Sequence, residues 1–168
     1  ANGEPHQGVI AELAAFDYAD LETVLEGNPS RIILLDGVED PRNLGAVIRT
    51  AEASGADAVL IPSRHTCGIT GTVMKTSAGA AAHIPVCRII NTVRTITDLK
   101  KRGFWVVGLD MDGEEVLPED LRSAPLLLIG GGEHRGLRPL VKENCDFLCR
   151  LPMRGSVSSL NLSVAVGI

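Results

Sequence analysis

The sequence predicts an α/β protein built on an open, mostly parallel sheet with helices on both faces. Short apolar runs recur along the chain, which is typical of strands that are buried on both sides. Between them lie stretches of about ten residues whose apolar side chains recur at helical spacing, the pattern of βαβ units. With 168 residues, 45% of them hydrophobic, the chain is long enough to bury a sizeable core. Aromatic residues make up only 3%, so aliphatic side chains must fill that core.

The alternation of strands and helices begins at residue 31, after a weakly patterned N-terminal stretch. Arg31-Ile-Ile-Leu-Leu-Asp36 suits a covered strand, and the next helix carries Leu44, Val47, Ile48 and Ala51 on one stripe. Strands are predicted at 31–36, 58–61, 84–89, 104–109, 126–129 and 147–151, with a short one at 9–13. Helices are predicted at 18–26, 44–51, 72–77, 93–102, 137–143 and from 159 onward, and an acidic loop at 110–120.

Composition and charge argue against several classes of protein. The net charge of −5, from 16 basic and 21 acidic residues, disfavours a surface that coats nucleic acid non-specifically. No apolar run approaches the roughly 20 residues that span a bilayer, and no signal-peptide pattern is present, so we expect a cytoplasmic protein without a membrane partner. The four cysteines form no C-x-x-C pair, and the four histidines show no ligand spacing. We therefore expect neither a metal nor a disulfide.

The two ends of the chain suggest a domain taken from a longer protein. The sequence begins without methionine in a polar stretch and stops at Ile168 within an apolar helical pattern. We expect residues 1–30 to be a linker and residues 31–168 to be the folded domain, with a shortened C-terminal helix.

Three polar or glycine-rich stretches follow predicted strands, at the edge of a parallel sheet where ligands bind. The first, residues 36–43, leads into the helix that carries Arg49. Asn43 could cap that helix. Asn43 and Arg49 are six residues apart, roughly 240° around an ideal helix, so they would share a site only if Asn43 belonged to the preceding loop. By spacing alone this signal is weak.

The second stretch is Ile129-Gly-Gly-Gly-Glu-His-Arg-Gly136. Three successive glycines let the backbone approach another group closely, and they are more than a tight turn requires. The stretch does not fit G-x-G-x-x-G, and no Walker A loop is present. Glu133 is a candidate site carboxylate.

The third stretch, residues 151–161, combines an apolar Leu-Pro-Met segment, a Gly-Ser loop and a helix start. Small side chains and free N–H groups near a helix start suit a polar ligand. The alternative is an ordinary helix capped by Ser158 or Ser159. The stretch is not a G-x-S-x-G elbow, which disfavours a serine hydrolase.

Together the three stretches resemble the motifs of the SpoU family of knotted (SPOUT) methyltransferases, which methylate ribose 2′-hydroxyls of RNA. Asn43-Leu-Gly-Ala-Val-Ile-Arg49 is similar to the first motif, and residues 129–137 and 151–161 are similar to the second and third. His134 stands where the family often has glycine. The leading His6-Gln-Gly-Val9 resembles the segment before the catalytic domain in bacterial large-subunit rRNA guanosine 2′-O-methyltransferases.

The resemblance implies a C-terminal trefoil knot, S-adenosylmethionine as cofactor, a homodimer and a preceding RNA-binding domain. It assigns catalytic roles to Asn43, Arg49, Glu133, Ser159 and Asn161. The cofactor contacts it implies are Leu109, Ile129, Gly131, Leu151, Met153 and Leu160. The charged candidates for RNA contact are Arg42, Arg64, His65, Arg135 and Arg154.

The predicted reaction is methylation of a guanosine ribose in large-subunit rRNA. A transfer RNA substrate and a non-catalytic RNA-binding or dimerisation module of the same fold are the alternatives. A nucleotide-binding domain of flavodoxin type is disfavoured because the loop after the first strand is acidic. A guanidinium stays protonated in proteins and is a poor base, so we expect Arg49 to clamp phosphate.

Overall fold

The computed structural model describes residues 15–115, 121, 123–132, 135–157 and 159–168. Six strands form one sheet in the order β3-β2-β1-β5-β4-β6, and every pairing between them is parallel. The strands are β1 (Arg31–Asp36), β2 (Ala58–Pro62), β3 (Val86–Ile89), β4 (Trp105–Glu114), β5 (Leu126–Gly131) and β6 (Phe147–Cys149). The parallel sheet predicted from the sequence is therefore confirmed.

The described residues also form six helices, the first of which precedes the first strand. They are α1 (Leu21–Glu26), α2 (Pro41–Ala53), α3 (Gly71–Thr76), α4 (Thr92–Lys101), α5 (Pro139–Glu143) and α6 (Leu162–Gly167), with a 3₁₀ turn at Ala80–Ala82. Within the described ranges, no helix is long and apolar enough to cross a bilayer.

The sheet separates two apolar cores, as alternation along each strand requires. Ile33 packs with α2, α3 and α6 on one face. Its neighbour Ile32 packs with α1, α4 and α5 on the other. Helices therefore cover both faces. Each fully buried Leu or Ile contributes about 1.5–3 kcal/mol to folding.

Helix α2 shows how the local sequence determines the element. Its four predicted stripe residues are completely buried. Asp40 caps the helix by accepting a hydrogen bond from the backbone N–H of Arg42 at 2.7 Å, and proline stands in the first turn, where it is tolerated. The capping role considered for Asn43 is wrong, because Asn43 lies inside the helix.

Strand β4 is longer than predicted. The acidic residues 110–114 continue the strand instead of forming a loop. Lys142 of α5 explains this, because its ammonium group lies 2.9 Å from Asp110 and 2.8 Å from Asp112. The predicted strand at 9–13 lies outside the described residues.

Candidate functional site

The site lies where the direction of the chain across the sheet reverses. β1 and β5 are neighbours, yet α2 follows β1 onto one face and α5 follows β5 onto the other. Such a switch point opens a crevice beyond the carboxyl ends of the two strands, which is where open α/β sheets bind ligands. The first two polar stretches meet there, because the Gly132 N–H donates to the Asp36 carbonyl oxygen.

The three successive glycines each permit a close approach. A Cβ on Gly130 would lie 2.7 Å from the Leu162 side chain of α6, and one on Gly131 would lie 2.1 Å from the Gly136 backbone. A Cβ on Gly132 would lie 2.5 Å from the carbonyl oxygen of Gly37. The described part of the glycine loop, residues 130–132 and 136, is therefore packed against the end of β1 and against α6.

An ion pair between the buried Asp36 and Arg138 lies next to the same loop. Asp36, at the end of β1, is almost wholly buried. Its carboxylate accepts hydrogen bonds from the Arg138 Nε at 2.9 Å and from the Arg138 backbone N–H at 3.2 Å. The guanidinium also donates to the Thr92 hydroxyl at 2.9 Å. Hydrogen bonding to Asp36 raises the pKa of Arg138 above its ordinary value.

Asp36 also holds the loop through its backbone, since its carbonyl oxygen accepts from the Gly132 N–H at 3.0 Å. Asp36 thus contacts both Gly132 in the loop and Arg138, which lies two residues after Gly136. Sequence analysis missed Asp36 and Arg138 as a pair. The available signal was a carboxylate ending an apolar strand, which needs a buried partner.

The first and third motifs are joined by a hydrogen bond. The Asn161 Nδ2 donates to the Asn43 Oδ1 at 3.0 Å. Asn161 is also the N-cap of α6, where its Oδ1 accepts from the Ser163 N–H at 2.9 Å and from the Ser163 hydroxyl at 2.6 Å. The capping alternative of Ser158 or Ser159 is therefore wrong. Capping orients the amide so that its N–H₂ faces α2.

The other predicted catalytic residues are placed less closely together. Arg49 is exposed on α2, and because Asn43 lies in the same helix, the two side chains leave the axis in directions roughly 120° apart. Asn43 and Arg49 were expected to share a site only if Asn43 belonged to the loop before α2. Since Asn43 lies inside α2, one chain does not meet that condition. Ser159 is exposed one turn before α6. Glu133 lies outside the described residues.

The predicted cofactor residues are distributed over β4, β5 and the segment after β6, and these three strands are adjacent in the sheet. Leu109 is half-buried, whereas the Ile129 side chain is fully buried, so Ile129 can offer a ligand only its backbone. In the segment after β6, Met153 and Leu160 remain 38% and 40% exposed. Gly131 ends β5, and Leu151 is half-buried two residues after β6.

Fold and site together define a parallel α/β domain with a switch point between β1 and β5. The chain belongs to the SpoU rRNA methylase family, whose profile matches residues 30–168. The resemblance predicted from the three motifs is confirmed.

Two curated relatives illustrate the match. The chain is 46% identical to a putative TrmH family tRNA/rRNA methyltransferase, YacO, of Bacillus subtilis, and the alignment covers 97% of this chain and 68% of that protein. It is also 46% identical to the 23S rRNA (guanosine-2′-O-)-methyltransferase RlmB of Pseudomonas putida, with the same coverage.

Solved structures agree with the fold. The SpoU methyltransferase AviRb from Streptomyces viridochromogenes, in complex with AdoMet, superposes with a TM-score of 0.79 at 27% identity, over 90% of this chain and 62% of that one. A putative RNA methyltransferase of the TrmH family from Porphyromonas gingivalis gives 0.73 at 32% identity, over 83% and 57%. The chain therefore spans about two thirds or less of the length of these proteins.

Proposed function

We propose that this domain transfers the methyl group of S-adenosylmethionine to a ribose 2′-hydroxyl of RNA. The observation that carries the proposal is the Asn161–Asn43 hydrogen bond, which joins two polar motif residues beside the glycine loop. An asparagine that only capped α6 would need no partner on α2. A guanosine of large-subunit rRNA is the favoured target because of the RlmB relative. Transfer RNA is the alternative, since the YacO description includes it.

The residues at the crevice fit S-adenosylmethionine, which the AviRb structure contains. Gly130, Gly131 and Gly132 carry no side chains, and Met153 and Leu160 present exposed apolar surface. An adenine ring has an apolar face and a polar edge, which suits this combination. When bound, the cofactor supplies an electrophilic methyl group already activated by positive charge. Leu109, Ile129, Gly131 and Leu151 would complete the contacts.

The polar residues would align the ribose and its phosphate. Positioning alone can contribute about 7–11 kcal/mol to a bimolecular step. Arg49 would clamp a phosphate with its planar guanidinium, while Asn43 and Asn161 would orient the ribose. Glu133 and Ser159 would contribute further hydrogen bonds, as the family resemblance implies.

We further propose a homodimer in which a second chain completes each site. The support is geometric, because Arg49 and Asn43 leave α2 in different directions. One chain therefore does not bring its own Arg49 to the Asn43–Asn161 pair, whereas a second chain can supply its Arg49 there. A trefoil knot in the C-terminal part and a preceding RNA-binding domain are parts of the same proposal, as is the cytoplasmic location typical of enzymes that act on ribosomal RNA.

The test separates the cap of α6 from the contact with α2. Asn161→Asp keeps a favoured N-cap oxygen but loses the Nδ2 donor to Asn43. We expect an unchanged unfolding midpoint and a loss of methyl transfer to rRNA of about 100-fold or more, within the range for positioning effects. Asn91→Asp is the matched control, because Asn91 caps α4 in the same way, accepting from the Arg94 N–H at 3.0 Å.

Calorimetry with S-adenosylmethionine provides the second readout. A folded wild-type chain that binds no cofactor would contradict the enzymatic proposal and favour the non-catalytic module. Equal methyl transfer by wild type and Asn161→Asp would refute the role assigned to this hydrogen bond. Parallel assays with tRNA and rRNA decide between the two substrates.

A further inference from the structure

Basic side chains fall into two groups according to their partners. Basic residues of two segments, 94–102 and 138–150, form ion pairs with carboxylates. Most of these pairs lie on the side of α4 and α5. Neutralised bases offer little attraction to a polyanion. The net charge of −5 is therefore a poor guide to where RNA could bind, because the basic side chains outside ion pairs are unevenly distributed.

Three bases outside these two segments follow the other half of the sheet. Arg42, Arg64 and Arg88 lie at or just beyond the carboxyl ends of β1, β2 and β3 and form no ion pair with the described residues. Since β3, β2 and β1 are adjacent in that order, these arginines follow one edge. Asp40, which stands near Arg42, is engaged as the cap of α2.

This edge is continuous with the glycine loop. A Cβ on Gly132 would meet the Gly37 carbonyl oxygen at 2.5 Å, so the loops after β5 and β1 touch. The Cys67 N–H donates to the Val38 carbonyl oxygen at 3.1 Å, which joins the loops after β1 and β2. A Cβ on Gly68 would lie 3.8 Å from the Arg88 Nη2. The chain of contacts therefore runs from the proposed cofactor site to strand β3.

At its far end the edge carries an aromatic platform. The Arg88 guanidinium carbon lies 4.9 Å from the centroid of the Tyr18 ring. The Tyr18 hydroxyl accepts from the Ile69 N–H at 2.9 Å, and Phe16 packs edge-on at 5.0 Å, so the ring is fixed in place. A guanidinium stacked on an aromatic ring is a surface on which unpaired bases stack.

We propose that this edge is an RNA track for the strand flanking the methylated nucleotide. Phosphates would contact Arg42, Arg64 and His65, and an unpaired base would stack on the Arg88–Tyr18 platform. The inference rests on the proposed function for the identity of the nucleic acid. Arg42, Arg64 and His65 were predicted from the sequence as RNA contacts, whereas Arg88 and Tyr18 were not.

The test compares two substitutions with the same change of charge. Arg88→Gln should weaken binding of an rRNA fragment about three- to tenfold and reduce the slope of log affinity against log salt by about 1. Arg94→Gln is the control, because Arg94 is paired with Asp98 on α4 and should have little effect. Tyr18→Leu should lower RNA affinity about fivefold or more, whereas Tyr18→Phe, which keeps the ring, should bind nearly as the wild type.

Each measurement is made on the full chain, with cofactor affinity and the unfolding midpoint measured in parallel. Equal effects of Arg88→Gln and Arg94→Gln, or no effect of either, would overturn the track, as would a wild-type chain without affinity for RNA. A wild type that binds RNA but not S-adenosylmethionine would refute the proposed function. In that case the comparison of Arg88→Gln with Arg94→Gln would still test whether this edge binds RNA. For Arg88→Gln and Tyr18→Leu we expect a higher KM for RNA with unchanged cofactor affinity.

Discussion

Breaking the Asp36–Arg138 ion pair should destabilise the fold more than breaking any exposed pair. In Arg138→Met the Asp36 side chain, which is 0% exposed, loses its guanidinium partner and keeps only the Arg138 backbone N–H. Removing one partner of a fully buried pair costs about 3–5 kcal/mol. Arg138 is 48% exposed, so water can partly replace it, and we expect about 2–3 kcal/mol.

The assay is urea and thermal unfolding, followed through Trp105, the single tryptophan, and through far-UV circular dichroism. A loss of 2–3 kcal/mol corresponds to a fall in Tm of roughly 4–12 °C for a chain of this size. Arg94→Met is the control. Its partner Asp98 is half-exposed and Arg94 is 83% exposed, so solvent screens the pair and the loss of stability should be much smaller.

A double-mutant cycle isolates the reason for the loss. Asp36→Asn in the Arg138→Met background removes the stranded charge, so the double variant should be more stable than the sum of the two single losses by at least about 1 kcal/mol. Additive losses would refute the claim that an uncompensated buried charge causes the destabilisation.

Two further predictions follow from packing and burial. Gly131→Ala would place a methyl group 2.1 Å from the Gly136 backbone; it should cost about 1–3 kcal/mol and abolish cofactor binding in calorimetry, whereas Gly155→Ala, with open space around it, should change neither. Burial, reinforced by Asp20, raises the pKa of Cys87 from 9.0 to about 11. Between those values the unfolded chain loses its proton first, so stability falls as pH rises. Cys87→Ala should flatten that fall in urea midpoints measured from pH 7 to 10.5, and parallel curves for both proteins would contradict this origin.

The order of elements was predictable because each depends on residues close together in sequence. The helical period of the buried residues predicted α2, and the short apolar run predicted β1. Motif order identified the family, and with it Asn43 and Asn161. What these patterns could not show are contacts between distant residues. Asp36 and Arg138 are 102 residues apart, and Lys142 holds the acidic end of β4 in the sheet from 32 residues away.

The hydrogen bond between Asn161 and Asn43 has a consequence for the timing of assembly. It closes a span of 118 residues, and α6 packs against both α2 and the glycine loop through Leu162. Contacts so distant in sequence form late and slowly. During synthesis, α2 and β1–β5 could therefore be in place while the site still lacks one wall. Affinity for the cofactor should emerge only after residue 161 has left the ribosome and α6 has docked.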